Sequence, residues 1–180
     1  MEIIWLLLAV IVVFLLWLAI TYNSLVNRRN QVRYAFATID VQLKKRFDLV
    51  PNLVETVKGY AAHEREVLEA VTKARQQALS HRSSWHDQEM LHQEVGRLVA
   101  TAEAYPDLKS DRQFLMLQRQ LAECEAQIAA ARRTYNASVM DYNNSVGMVP
   151  SSIVASMFNF KTMPQFEIAV NERTNPNVRF

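Results

Sequence analysis

Residues Ile3–Ile20 read IIWLLLAVIVVFLLWLAI, and two indole N–H groups are their only polar side-chain atoms. A run of about eighteen apolar residues makes about 27 Å of helix, close to the thickness of a bilayer's hydrocarbon core. A helix that is apolar on every side has no place inside a small bundle. The run therefore predicts a membrane anchor. A cleaved signal peptide would show a basic leading segment, a shorter apolar core and a small-x-small cleavage site. Here Glu2 precedes the run and Thr21-Tyr22-Asn23 follows it, so the anchor is expected to be retained.

Charge sets the expected orientation. Arg28, Arg29 and Arg33 follow the run closely, and no Lys or Arg precedes it. The positive-inside rule then places the N-terminus outside and the C-terminal bulk in the cytoplasm, as a single-pass protein. Trp5, Trp17 and Tyr22 fit the interfacial belts near the ends of the span. Lys44, Lys45 and Arg46 form a second basic cluster, read as a solvated face.

Composition agrees with long helices. The 180 residues include only 3 Gly and 5 Pro, both depleted in helix interiors. A net charge of +2 with mixed signs argues against a nucleic-acid-binding surface. A single cysteine, Cys124, has no partner for an intramolecular disulfide.

Beyond the anchor the apolar spacing is helical. Val32, Phe36, Ile39, Leu43 and Phe47 recur at three or four and line one face, with no Gly or Pro between them and the anchor. One helix of about 45 residues is predicted, coupling anchor to domain. At Pro51 the chain either reverses or kinks, and reversal is expected. A second helix carries Leu53, Val54, Val57, Tyr60, Ala61, Val67, Leu68, Val71, Ala74 and Ala78, with Gly59 serving a close helix–helix approach. After a loop at Ser80–Ser84, a third helix runs from about Trp85 to Ala104, with Met90, Leu91, Val95, Leu98 and Val99 apolar. Ser110 and Gln113 resemble a capping box. The fourth helix spans about Asp111–Val146 with a seam through Phe114, Leu117, Leu121, Cys124, Ile128, Ala131, Tyr135, Ser138 and Tyr142.

The predicted architecture is all-α: a transmembrane helix (residues 1–21) continuing into an antiparallel up-and-down four-helix bundle (22–149). An extended or irregular, aromatic-rich tail (150–180) follows. In that tail Phe166, Ile168 and Val170 alternate with polar residues, the period of a strand. Phe158, Phe160, Phe166, Ile168 and Phe180 are candidate inter-subunit contacts. The alternative is that the tail lies along its own bundle.

Several blocks resemble those of LemA-family membrane proteins: YNSLVNRRNQV from Tyr22, IDVQLKKRFDLVPNLVETVKGYAAHEREVLEAVTKAR from Ile39, EAYPDLKSDRQFLMLQRQLAECEAQIAAARRTYNASVMDYN from Glu103 and VPSSIVASMFNFKTMPQFE from Val149. The resemblance covers nearly the whole chain. It implies an N-terminal anchor in a bacterial inner membrane, a cytoplasmic four-helix bundle, and no agreed enzymatic activity or cofactor.

The residues fall short of three chemistries. His63-Glu64 begins like the zinc motif HExxH, but Val67 stands where the second histidine belongs. Di-iron bundles need two Glu-x-x-His pairs; Glu89/His92 is one, and no other histidine has a Glu three residues before it. Cys124 has no histidine on its helix to act as base and lies on the seam. No catalytic residue, metal or cofactor is expected. An enzyme using His63/Glu64 and Glu89/His92 is the alternative, as is an accessory subunit of a membrane transport or protein-quality-control complex.

The polar residues Asp40, Lys44, Arg46, Asp48, Glu55, Lys58, His63, Glu64 and Arg65 are the candidate interaction surface, or else an interhelical ion-pair network. Tyr22-Asn23, Tyr135-Asn136 and Tyr142-Asn143 repeat a Tyr-Asn pair that can place a ring in the core and an amide near a backbone end. The expected function is a non-enzymatic, membrane-anchored scaffold or interaction module. Its expected partners are membrane lipid through residues 3–20, further copies of itself, another membrane protein, and no nucleic acid.

Overall fold

The computed structural model describes residues 1–81 and 84–166. Every regular element among them is helical: α1 (Glu2–Tyr60), α2 (Arg65–Ser80), α3 (Trp85–Ala102), α4 (Pro106–Lys109), α5 (Arg112–Gly147) and α6 (Ser151–Met157). The chain divides into two compact units. One comprises Met1–Thr38 with the chain from Ala130 onward, and the other is Ile39–Ala129.

Pro51 does not turn the chain, contrary to the expected reversal; α1 runs through it to Tyr60. The physical reason has two parts. The buried stripe Leu43, Phe47, Val50, Leu53, Val57 keeps its three-four spacing across the proline, with the last three fully buried. Burying each such side chain is worth about 1.5–3 kcal/mol, so a break after Val50 would forfeit more than the roughly 3 kcal/mol a helical proline costs. The carbonyl that Pro51 leaves without a donor is that of Phe47, and the Arg75 guanidinium of α2 donates its Nε–H to it at 2.9 Å.

The reversal comes instead at Ala61–Glu64, where the Glu64 N–H donates to the Ala61 carbonyl at 3.0 Å. Gly59 lies in the last turn of α1 with nothing within 4 Å of where a Cβ would stand, so close helix approach is not its role. Ser84 caps α3, accepting from the Asp87 N–H. The capping box expected at Ser110 is replaced by Asp111, whose Oδ1 accepts from the Phe114 N–H at 2.8 Å. The Ser110 hydroxyl donates to the Asp107 carbonyl.

Contacts between α1 and α5 in the Ile39–Ala129 unit occur in opposite order along the two helices. Gln42 meets Cys124, Arg46 meets Glu125, and Tyr60 meets Asp111. The seam of α5 buries Phe114, Leu117, Leu121, Cys124 and Ile128 as the spacing predicts. Cys124 is a core residue; burial raises its thiol pKa, and its Sγ donates to the Gln42 carbonyl at 3.2 Å. Met90 faces outward on α3, and Gln88 takes a buried place beside Leu91, Val95 and Leu98.

In the other unit, Leu25, Val32 and Ala35 of α1 are buried, as are Ala131, Tyr135, Val139 and Tyr142 of α5 and Val154, Ala155 and Phe160 beyond it. Two positions differ from the sequence reading. Ala35 takes the seam position assigned to Phe36, and Val139 takes that assigned to Ser138. After the short helix α6, residues 158–166 carry no regular element and pass back along α5. The first twenty residues of α1 form a helix whose apolar window is wholly unburied. By length and composition it is the one described helix that can cross a membrane.

Candidate interaction surface

The nine polar residues singled out in the sequence do not form one patch. Lys44 and Asp48 pair with each other on an exposed face of α1 at 2.9 Å. Asp40 and His63 are exposed. Glu64 accepts a hydrogen bond from the Tyr105 hydroxyl at 2.8 Å, which ties the α1–α2 turn to the start of α4 and raises the Tyr105 pKa.

Arg46 is not on the surface; it is 2% exposed. One guanidinium nitrogen donates to Glu125 Oε1 at 3.1 Å, and the other to both the side-chain and main-chain oxygens of Gln88. Gln88 passes the chain of bonds on, its amide donating to the Ala78 carbonyl at 3.1 Å. On the far side of Glu125, His92 Nδ1 stands 3.2 Å from Oε2. That hydrogen bond raises the histidine pKa. Burial pushes the Glu125 carboxyl up, but the bond from His92 and the Arg46 charge outweigh it and hold the carboxyl below its ordinary value. The network joins α1, α3 and α5 through one buried charge with opposite charge beside it. Glu89 and His92 share a helix face as their spacing predicts, but His92 gives its Nδ1 to Glu125. Among the described residues no three His, Cys, Asp or Glu side chains are grouped to hold a metal ion.

Glu55, Lys58 and Arg65 do come together. With Glu69, Thr72, Lys73 and Gln76 they border an open groove of about 600 Å³ over α1 and α2. Its apolar lining is Val54, Ala62 and Leu68. Two carboxylates and three cations around an apolar strip fit a protein surface better than a single small anion or metal. Sequence reasoning singled out Glu55 and Lys58 of α1 and Arg65 of α2, and missed Glu69, Thr72, Lys73 and Gln76 further along α2. The signal was available: Arg65, Glu69, Thr72, Lys73 and Gln76 recur at three and four along one helical face.

The Tyr-Asn pairs of α5 have a role the sequence reading only approached. The Tyr142 hydroxyl donates to the Lys161 carbonyl at 2.9 Å, and the Asn143 amide makes a two-way bond with the Met163 backbone, 2.8 and 2.9 Å. One heptad earlier, the Tyr135 hydroxyl donates to the Pro164 carbonyl and Asn136 makes the same two-way bond with Phe166, 3.0 and 2.8 Å. Each asparagine thus offers the extended segment what a neighbouring strand would offer, one acceptor and one donor. The registers match, because seven helical residues rise about 10.5 Å and three extended residues span about 10 Å. The tail candidates are placed accordingly. Phe160 is buried with the Arg29 guanidinium over its ring at 5.1 Å. Phe166 lies against Tyr135 and stacks on Phe36. Phe158 is partly exposed against Tyr22. Ile168, Val170 and Phe180 lie outside the described residues.

Comparison with known proteins gives a family and several named relatives. The model of the LemA family matches residues 35–180. Protein LemA of Metamycoplasma hominis is 23% identical over 157 residues, spanning 85% of this chain and 72% of that protein. Magnetosome protein MamQ 2 of Paramagnetospirillum magneticum is 23% identical over 186 residues, spanning 87% of this chain and 68% of that protein. The magnetosome protein MamQ of Magnetospirillum gryphiswaldense is 22% identical over 185 residues with the same coverage. The matched region takes in α1 from Ala35, the groove, the buried charge network and both tyrosine–asparagine clasps, and on that match this chain belongs to the LemA family.

Proposed function

We propose that the chain is a non-enzymatic, single-pass protein of the bacterial inner membrane that self-assembles or docks other proteins. Its N-terminus lies outside, and its helices form an antiparallel up-and-down four-helix bundle in the cytoplasm. The opposite order of contacts along α1 and α5 supports the antiparallel reading. The three arginines Arg28, Arg29 and Arg33 after the apolar run support the orientation.

The observation that carries the interaction role is the groove bordered by Glu55, Lys58, Arg65, Glu69 and Lys73. An apolar floor with a mixed-charge rim is the make-up of a protein–protein contact, where the floor supplies affinity and the rim sets register. A helix from a second copy is the occupant that requires no other component.

The test is the mass of the complex released by mild detergent from native membranes, with its proteins identified. A homogeneous particle of several copies supports self-assembly. A stoichiometric second protein makes the chain an adaptor. A monomer with no companion overturns both. Arg65→Glu with Lys73→Glu assigns the association to the groove if the particle falls apart, and removes the groove from the reading if it does not.

A further inference from the structure

The corner between α5 and α6 presents an unusual surface. From Tyr142 to Phe160 the sequence contains no Asp, Glu, Lys or Arg, in a chain that is 21% charged. Within that stretch Met148 is 63% exposed, Val149 79%, Ile153 55% and Met157 64%. Ile153 and Met157 are four residues apart, so they share one face of α6. Val154 and Ala155 are fully buried on its other side. The corner is therefore held firmly from within and left apolar without.

Its place in the unit is set by Tyr22. The Tyr22 ring meets Phe158 at 4.8 Å and Phe160 at 5.7 Å between centroids. Tyr22 follows the last residue of the apolar run by two positions, about 3 Å along the helix. Cover on α1 begins earlier still: Trp17, Leu18 and Thr21 are part-buried, whereas every residue before Trp17 is exposed. The packed part of this unit thus reaches the final turn of the anchor. Charged groups stand only at the edges of the corner: Arg29, whose guanidinium lies over the Phe160 ring, Asp141 before Tyr142 and Lys161 after Phe160.

We infer that the α5–α6 corner is a second membrane contact, with Val149, Ile153 and Met157 seated in the interfacial layer of the bilayer that α1 crosses. The inference rests on the anchor reading above. An apolar face continuous with a spanning helix and flanked by cations is the make-up of a monotopic interfacial segment, which buries its apolar side at the headgroup–acyl boundary. The flanking Arg29 and Lys161 suit anionic headgroups.

The experiment places spin labels, one at a time, at Leu15→Cys, Met140→Cys, Ile153→Cys and Met157→Cys in the full-length chain. The proteoliposomes are phosphatidylcholine with phosphatidylglycerol. Cys124 is buried, and the unsubstituted chain supplies the blank. Each site is read for collision with oxygen, which concentrates in lipid, and with a water-soluble nickel chelate. Met140 is exposed in the same unit and serves as the aqueous reference. The expected oxygen-to-nickel ratio at positions 153 and 157 exceeds that at 140 by at least about threefold, as membrane-interface burial requires. A ratio equal to that at 140, with a lipid signal at 15, puts the corner in water and overturns the inference while the anchor stands. Loss of both collisions at 153 and 157 means a protein covers the face, a second copy first among candidates, and overturns it as well. An aqueous signal at 15 overturns the anchor reading and the inference together.

Discussion

Between Ile39 and Ala129, helices are tied by a buried charge; between Ala130 and Phe166, a helix is tied to extended chain by amides. The first unit's tie converges on a point: Arg46 reaches Gln88 and Glu125, and Glu125 reaches His92. The second unit's tie is distributed along a line, with two tyrosine hydroxyls and two asparagine side chains spaced over one heptad. A convergent tie fails as a whole, because removing one partner leaves a charge buried and unmatched. A distributed tie fails piecemeal, because each neutral bond is worth about 0.5–1.5 kcal/mol net.

The largest effect should come from Glu125→Ala. Arg46 keeps its two acceptors on Gln88, so the loss sits near the low end for a broken buried pair, about 3 kcal/mol. Unfolding in mild detergent, followed by helical circular dichroism, measures it. A loss under about 1 kcal/mol would equate the two ties and break the comparison. Next comes the double variant Asn136→Ala with Asn143→Ala. It should free the extended segment locally, by about 2 kcal/mol, while the global midpoint hardly moves. Limited proteolysis between Asn159 and Phe166 should then quicken by at least about tenfold. A global midpoint falling as far as in Glu125→Ala would show that this tie, too, is cooperative.

A smaller effect tests the repair at Pro51. Arg75→Met should cost about 1–2 kcal/mol in the native chain, because the Phe47 carbonyl loses its donor. In a Pro51→Ala background the restored alanine N–H can take that carbonyl, so the cost should shrink, giving a coupling of about 1 kcal/mol in a double-mutant cycle. Additive costs would mean that Arg75 acts elsewhere.

The smallest is a pH effect confined to the convergent tie. His92 is raised, so its contribution is complete below about 6.5 and is lost as pH climbs through the folded value. Glu125 is lowered, so its contribution is present above about 4.5 and is lost as pH falls through the folded value. The tie is strongest between those limits. His92→Gln should flatten the alkaline decline in melting midpoint; an unchanged slope would assign that decline to another group.

Much of this was legible in the sequence because periodicity reports burial. The stripe through Leu43, Phe47, Leu53 and Val57 and the seam through Phe114, Leu117, Leu121, Cys124 and Ile128 appear where the spacing puts them. The reading failed where a long-range partner overrode a local rule. Pro51 breaks helices by local chemistry, and only Arg75, 24 positions away, cancels the defect. Arg46 looked like a member of a basic surface cluster because its two acidic and amide partners are 42 and 79 positions distant. Phe36 and Ala35 cannot be told apart by period alone; the ring of Phe166 decides that Phe36 stands at the side of the seam. Of the nine polar residues singled out, three, Glu55, Lys58 and Arg65, share the groove, while Lys44 and Asp48 pair with each other on the face of α1.

The two tyrosine–asparagine clasps also set a rule for insertions and deletions. Asn143 fixes Met163 and Asn136 fixes Phe166, so the interval between clasps is counted at once in heptads on the helix and in triplets on the tail. Deleting one residue between Met163 and Phe166 satisfies either clasp but not both. Only a change that alters α5 by seven and the tail by three keeps the grip, so length here can vary only by whole paired steps, as the teeth of a rack must match its pinion.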